Sequence, residues 1–284
     1  MTPLPLTMST VVPLTEHWVV AHNHPVFYRA ALHAAPANSL PIIHLHGFGI
    51  SGRYLVPTAE RLAPFHPAYV PDLPGYGRSP RPPHPLSIPE LAMEVMAFMD
   101  ALGIERACLM GNSMGCLVTL ECALRFPHRI ERAIMVSPAG GAHNQPLLRG
   151  IAQLGVDSLR ESRGMFRIAV TDYLRFGLVN SVRLFRDMTH FATSERATDL
   201  EVPTLVIIGA RDPLVSPSSL RNLVSAQPNM TMVVQDRAAH AINFSHPRSL
   251  SLVVRAWLAG DPLPIFASDK DHTMIPGNDP DHAR

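Results

Sequence analysis

Apolar residues along this chain fall into two alternating patterns. Short continuous runs, Ile42–Leu45, Ala68–Val70, Ala107–Met110, Arg132–Val136, Thr204–Ile208 and Met230–Val234, are bounded by turn residues and are too short for helices. Such runs predict buried strands. Between them lie stretches with helical period: Tyr54–Ala63, Ile88–Leu102, Cys116–Phe126 and, after the last run, Phe244–Leu258. In Ile88–Leu102 the apolar residues Leu91, Val95, Phe98, Met99 and Leu102 sit at i, i+4, i+7, i+8 and i+11. Ser87 is its predicted N-cap, with Pro89 in the first turn and Glu90 at the capping-box position. Ahead of the first buried run, Glu16–Ala21 and Val26–Leu32 read as a hairpin across Asn23-His24-Pro25. Strands alternating with helices predict an α/β fold: a mostly parallel, doubly wound sheet of about eight strands with helices on both faces.

The alternation stops between Gly140 and Val202. This segment reads as three helices, Leu147–Glu161, Met165–Phe176 and Ser181–Phe191, punctuated by Gly164 and Gly177. The chain therefore divides into a flexible arm (1–15), a core in two pieces (16–140 and 202–259), a helical insertion (141–201) and a tail (260–284). The tail is rich in Pro, Asp and His, lacks apolar periodicity, and is expected to be disordered.

Candidate chemistry is concentrated at the ends of the predicted strands. Gly111-Asn112-Ser113-Met114-Gly115 is a G-x-S-x-G between a strand and a helix, the context of a nucleophile elbow. Its sharp turn needs glycines flanking the serine closely. Asp212 follows the run ending at Ile208, and His240 follows the run ending at Val234. All three stand just past C-terminal strand ends, where open α/β sheets bind ligands. Ser113 is the candidate nucleophile, His240 its general base and acid, and Asp212 the carboxylate that orients the imidazole. Asp236 lies within or at the end of its strand and is the weaker candidate acid.

The chain order Ser113, Asp212, His240 resembles that of the α/β-hydrolases. Further motifs carry the resemblance: His46-Gly47-Phe48-Gly49 after a strand, Asp72-Leu73-Pro74-Gly75-Tyr76-Gly77-Arg78-Ser79, and Phe126-Pro127-His128-Arg129-Ile130 closing the elbow helix. It spans roughly Glu16 to Leu258. It implies an oxyanion hole from the backbone N–H groups of Met114 and Phe48, with Gly49 as the fallback for the second donor. It makes His46 and Asp72 structural residues of their loops, and the 141–201 insertion a helical lid over the site. Phe166, Tyr173, Phe176, Phe185 and Met188 on the lid become candidate substrate contacts, and the lid arginines Arg163, Arg167, Arg175 and Arg183 candidate grips for a carboxylate.

The resemblance favours a serine hydrolase cleaving a carboxylic ester or lactone of a small to medium, largely apolar substrate. The elbow also resembles that of the carbon–carbon bond hydrolases of meta-cleavage products. Those have tryptophan after the catalytic histidine and Gly-Pro-Gly after the oxyanion loop, where this chain has Ala241 and Ile50-Ser51-Gly52. A third alternative is a non-catalytic receptor or scaffold on the same fold, disfavoured because all three triad residues are present.

Composition narrows the partners. The 284 residues are 46% hydrophobic and 17% charged, with a net charge of +1, which is no footprint for nucleic acid. Of the 24 basic residues only Lys270 is lysine. Cys108, Cys116 and Cys122 have no metal-ligand spacing and read as buried thiols. No apolar run reaches membrane length, and the opening residues lack a signal-peptide pattern. The expectation is a cytoplasmic enzyme without cofactor or metal, acting on a small molecule.

Overall fold

The computed structural model of the chain describes residues 11–32, 34–139, 147–160, 163–176, 193–215, 217–264 and 272–276, together with Leu184, Arg186, Met188, His190 and Phe191. The described strands are β1 (Thr15–Ala21), β2 (His24–Ala31), β3 (Ile42–Leu45), β4 (Ala68–Pro71), β5 (Ala107–Asn112), β6 (Ile130–Val136), β7 (Thr204–Gly209), β8 (Met230–Gln235) and β9 (His272–Pro276). They form one sheet in the order β1-β2-β4-β3-β5-β6-β7-β8-β9. Pairing is parallel from β4 through β8 and antiparallel at β1–β2, β2–β4 and β8–β9. From β3 the chain crosses to β4 on one side and then to β5 on the other. The crevice beyond the carboxyl ends of β3 and β5 is therefore the switch point of the sheet, where ligands bind in folds of this class.

The helices are α1 (Val56–Leu62), α2 (Ile88–Ala101), α3 (Met114–Arg125), α4 (Leu147–Arg160), α5 (Arg163–Phe176), α6 (Thr193–Arg196), α7 (Pro217–Ala226), α8 (Ile242–Ser245) and α9 (Pro247–Ala259). Leu184, Arg186, Met188 and His190, in the third predicted insertion helix, are also helical. Strand alternation divides the core. Ile43, Leu45 and Leu109 pack with α2 and α3 on one face; Ile42, Cys108 and Met110 pack with Leu62, Leu250, Val253 and Val254 of α1 and α9 on the other. The α2 capping box forms: Ser87 Oγ accepts the Glu90 N–H, and the Glu90 carboxylate accepts the Ser87 N–H at 2.7 Å.

Three expectations change. The hairpin turn is His22-Asn23, both at positive φ (44° and 66°), a two-residue turn whose twist matches the strands; β2 therefore starts at His24. The end of the arm is docked: Val12 N–H donates to the Glu60 carbonyl, and Val12 and Leu14 pack on the core as alternate residues leading into β1. Residues 1–10 lie outside the described residues. Five residues of the tail expected to be disordered form β9, because β8 offers an edge whose backbone groups an extended segment can pair.

Candidate active site

Ser113 occupies a strained turn between β5 and α3, with φ 55° and ψ −118°. The flanking glycines are dictated by space. A Cβ on Gly111 would run into the Gly115 backbone, and one on Gly115 into the Leu45 carbonyl. The Ser113 amide donates to the Val136 carbonyl at 3.0 Å, which ties the elbow to β6. Met114 opens α3, where backbone N–H groups lack an acceptor within their own helix.

Asp212 and His240 stand on the loops after β7 and β8, and these loops are bonded to each other through Arg211 N–H and the Ala238 carbonyl at 3.0 Å. His240 Nδ1 lies 2.8 Å from Asp212 Oδ2, with both residues buried. A carboxylate only accepts, so Nδ1 carries the proton and Nε2 is the basic nitrogen of the neutral ring. Asp212 Oδ1 accepts the Leu214 N–H at 2.8 Å. Burial would raise the Asp212 carboxyl, but the facing histidine and these hydrogen bonds outweigh it and hold the group below the usual carboxylate range.

The loop after β3 is held from three directions. His46 Nε2 accepts the Leu73 N–H at 3.0 Å, so its Nδ1 is the donor to the Gly47 carbonyl at 2.9 Å. Gly47 N–H donates to Tyr54 Oη at 2.8 Å, and that hydroxyl donates to Asn112 Oδ1 at 2.6 Å. Asn112 Nδ2 in turn reaches the carbonyls of Val136 (3.0 Å) and His240 (3.3 Å). One buried network thus joins the loop after β3, the elbow and the histidine loop. Asp72, beneath it, accepts from Arg29, Gly52 N–H and Arg78 N–H.

Described residues of the helical insertion help line this edge of the sheet. Ser113, His240, Phe48 and Asn112 share a cavity of about 750 Å³, counting its open mouth, with Met165, Phe166, Ala169 and Tyr173 of α5, Asp157 of α4, and Met188. Phe166 is half-exposed, and Met188 is buried. Phe176 does not line this cavity: on the other side of Phe48 it stacks on Tyr76, with ring centroids 4.8 Å apart. Residues 166, 169 and 173 follow one stripe of α5 over the cavity, whereas Asp172 and Phe176 follow the next and land on the loops after β3 and β4. Phe185 and Arg183 lie outside the described residues, as does the Arg163 side chain. Arg167 and Arg175 are exposed, and neither lines the cavity.

Two buried carboxylates at the site escaped the sequence analysis. Asp172 accepts both the Ser51 N–H (2.8 Å) and the Ser51 hydroxyl (2.6 Å), fastening α5 to the loop after β3. Asp157 Oδ1 accepts the His240 N–H at 3.3 Å, fastening α4 to the histidine loop. A charge inside an otherwise apolar helical stripe, as at Asp172 between Ile168 and Phe176, was the available signal.

Residues 42–251 match the model of the alpha/beta hydrolase family, and the chain belongs to that family. The class of chemistry this defines is hydrolysis. The chain is 31% identical over 252 residues to a pimeloyl-[acyl-carrier protein] methyl ester esterase of Pectobacterium carotovorum subsp. carotovorum, covering 78% of this chain and 95% of the relative. It is 28% identical over 259 residues to a putative carbamate hydrolase RutD of Pseudomonas syringae pv. syringae, covering 81% and 98%. The carboxylesterase CesB (YbfK) of Bacillus subtilis shares the fold, with a TM-score of 0.73 at 19% identity over 90% of this chain and 95% of that one. No helix among the described residues is long and apolar enough to cross a membrane.

Proposed function

We propose that the chain is a serine hydrolase that cleaves a carboxylic ester or lactone of a small to medium, largely apolar substrate. Ser113 Oγ attacks the carbonyl carbon while His240 Nε2 takes its proton. Asp212 holds the ring in that tautomer and stabilises the imidazolium. The backbone N–H groups of Met114 and Phe48 stabilise the oxyanion. Collapse breaks the bond to the alcohol oxygen, which leaves with the proton from His240. Water then attacks the acyl group on Ser113, giving its proton to His240, and Ser113 departs reprotonated with the acid released. A lactone differs only in that the leaving alcohol stays attached to the acyl chain.

The observation that carries this reading is the 2.8 Å His240–Asp212 pair, whose imidazole borders the same cavity as the strained Ser113. The apolar wall supports an apolar acyl or alcohol group, and the insertion of residues 141–201 acts as the lid that supplies much of it. A panel of 4-nitrophenyl esters, lactones and one vinylogous diketone tests the assignment. Esters or lactones should be turned over by the wild type, and Ser113→Ala should lose on the order of 10⁴-fold in kcat. Selective turnover of the diketone would move the chain to carbon–carbon bond hydrolysis.

A further inference from the structure

The loop after β3 is gripped from two sides. The core holds its start: His46 Nδ1 donates to the Gly47 carbonyl, and Tyr54 Oη accepts the Gly47 N–H. Helix α5 holds the next stretch, Phe48–Ser51. We infer that Asp172 is a positioning residue for catalysis: through Ser51 it sets the loop that carries the oxyanion donor, so α5 completes the oxyanion hole as well as walling the cavity. This deepens the ester-hydrolase reading and rests on it.

Contacts from one helix converge on four consecutive loop residues. Asp172 Oδ2 accepts both the Ser51 N–H at 2.8 Å and the Ser51 hydroxyl at 2.6 Å. Both residues are buried, so bulk water does not compete for these bonds. Hydrogen bonds to a carboxylate are roughly twice as strong as neutral ones, and two donors from one residue fix its orientation as well as its distance. The next residue of α5, Tyr173, lies against Gly49. A Cβ on Gly49 would run into the Tyr173 ring, and its φ of 70° is one that glycine adopts freely. The Phe48 ring packs with the rings of Tyr173 and Phe176, each at a centroid distance of 5.8 Å. Those apolar contacts are non-directional and tolerate sliding. The Asp172 bonds are directional, and they act three residues from Phe48. An oxyanion donor has to lie about 2.7–3.1 Å from the developing charge, and a misplacement of about 1 Å costs about 100-fold in rate. A bond that only fastened α5 to the core would affect stability alone; one that sets the donor affects the transition state.

The test uses the full chain, 4-nitrophenyl hexanoate as substrate, a hexyl trifluoromethyl ketone as oxyanion probe and the secondary alcohol of equal chain length as ground-state ligand. Ser113 Oγ adds to the ketone carbon, His240 takes the hydroxyl proton, and the carbonyl oxygen becomes the oxyanion. Asp172→Ala should lower kcat by about tenfold or more and change KM by less than about threefold. Its Ki for the ketone should rise by about the factor by which kcat/KM falls, and its Ki for the alcohol should stay within about threefold of wild type. Asp172→Asn keeps an acceptor oxygen for Ser51 and should recover about half or more of both losses on a logarithmic scale. Ser51→Ala removes the 2.6 Å bond alone and should lower kcat and ketone affinity by about threefold or more. A folded Asp172→Ala protein that binds the ketone as tightly as wild type would overturn the inference, and so would a loss confined to KM. Should Asp172→Ala fail to fold, Ser51→Ala decides: unchanged kcat with unchanged ketone affinity overturns it. Wild-type turnover with none of these variant effects sinks this inference and leaves the ester reading standing. No turnover of any ester, with no covalent labelling of Ser113 by a neutral alkylphosphonate, sinks both.

Discussion

Removing a single oxygen, by Tyr54→Phe, should damage both stability and turnover. The Tyr54 hydroxyl accepts from Gly47 N–H at 2.8 Å and donates to Asn112 Oδ1 at 2.6 Å, in a side chain only 1% exposed. The phenylalanine ring fits the same space, so no packing is lost. A buried backbone donor and a buried amide oxygen are each left without this partner. Each such group costs about 1–3 kcal/mol, so the variant should lose roughly 2–6 kcal/mol. The effect on turnover follows from what the hydroxyl joins: Gly47 precedes the proposed donor Phe48, and Asn112 precedes Ser113 and reaches the His240 carbonyl. Loosening all three should lower kcat by about tenfold or more, with a smaller change in KM. Urea unfolding at constant m-value measures the first effect and ester hydrolysis the second. Tyr76→Phe is the control, because its hydroxyl makes only a long 3.5 Å contact to Met114 Sδ; it should cost under about 1 kcal/mol. A Tyr54→Phe protein within about 0.5 kcal/mol of wild type, with unchanged kcat, would refute the network's role.

His44 is fully buried on β3, neither ring nitrogen has a hydrogen-bond partner among the described residues, and burial pushes its pKa down to about 3. Its unfolded form takes up a proton below about pH 6.5 that the folded form refuses, so it withdraws stability as pH falls from there toward 3. His44→Leu should be neutral or stabilising at pH 7 and should flatten the acid limb in urea titrations; a loss above about 2 kcal/mol at pH 7 would contradict this. Asp212 has the opposite sign. Its lowered carboxyl contributes stability that is present above the unfolded carboxylate range and lost as pH falls through the folded value, so the stability gap between wild type and Asp212→Asn should shrink as pH falls below about 4. Burial raises the thiols of Cys108, Cys116 and Cys122, so iodoacetamide at pH 8 should label the native protein at none of them and the urea-unfolded protein at all three.

What the chain reveals in advance depends on whether the determinant is local. The α2 capping box was legible from Ser87 and Glu90 because both partners lie within one turn. The Ser113 elbow was legible because the crowding that requires Gly111 and Gly115 arises within five residues and the strand beneath. Asp212 and His240 were placed by counting strand ends, a topological rule, and the structure brings them to 2.8 Å. The remainder depended on tertiary placement. The aromatics of α5 all read as candidate substrate contacts, but only the docking of the helix decides that Tyr173 faces the cavity while Phe176 crosses to Tyr76. Tyr54, Asp157 and Asp172 each act through a partner at least 58 residues away (Asn112, His240 and Ser51), and no local pattern encodes such pairings. Strand β9 was missed because its pairing edge belongs to β8, far along the chain.

The central claim is a covalent acyl group on Ser113. Rapid acid quench of the enzyme during turnover of a 4-nitrophenyl ester, followed by peptide mass analysis, measures it directly. The account predicts one acyl mass increment per chain, located on Ser113 and absent from Ser113→Ala. Steady turnover with no acylated Ser113, or undiminished turnover by Ser113→Ala, would contradict it.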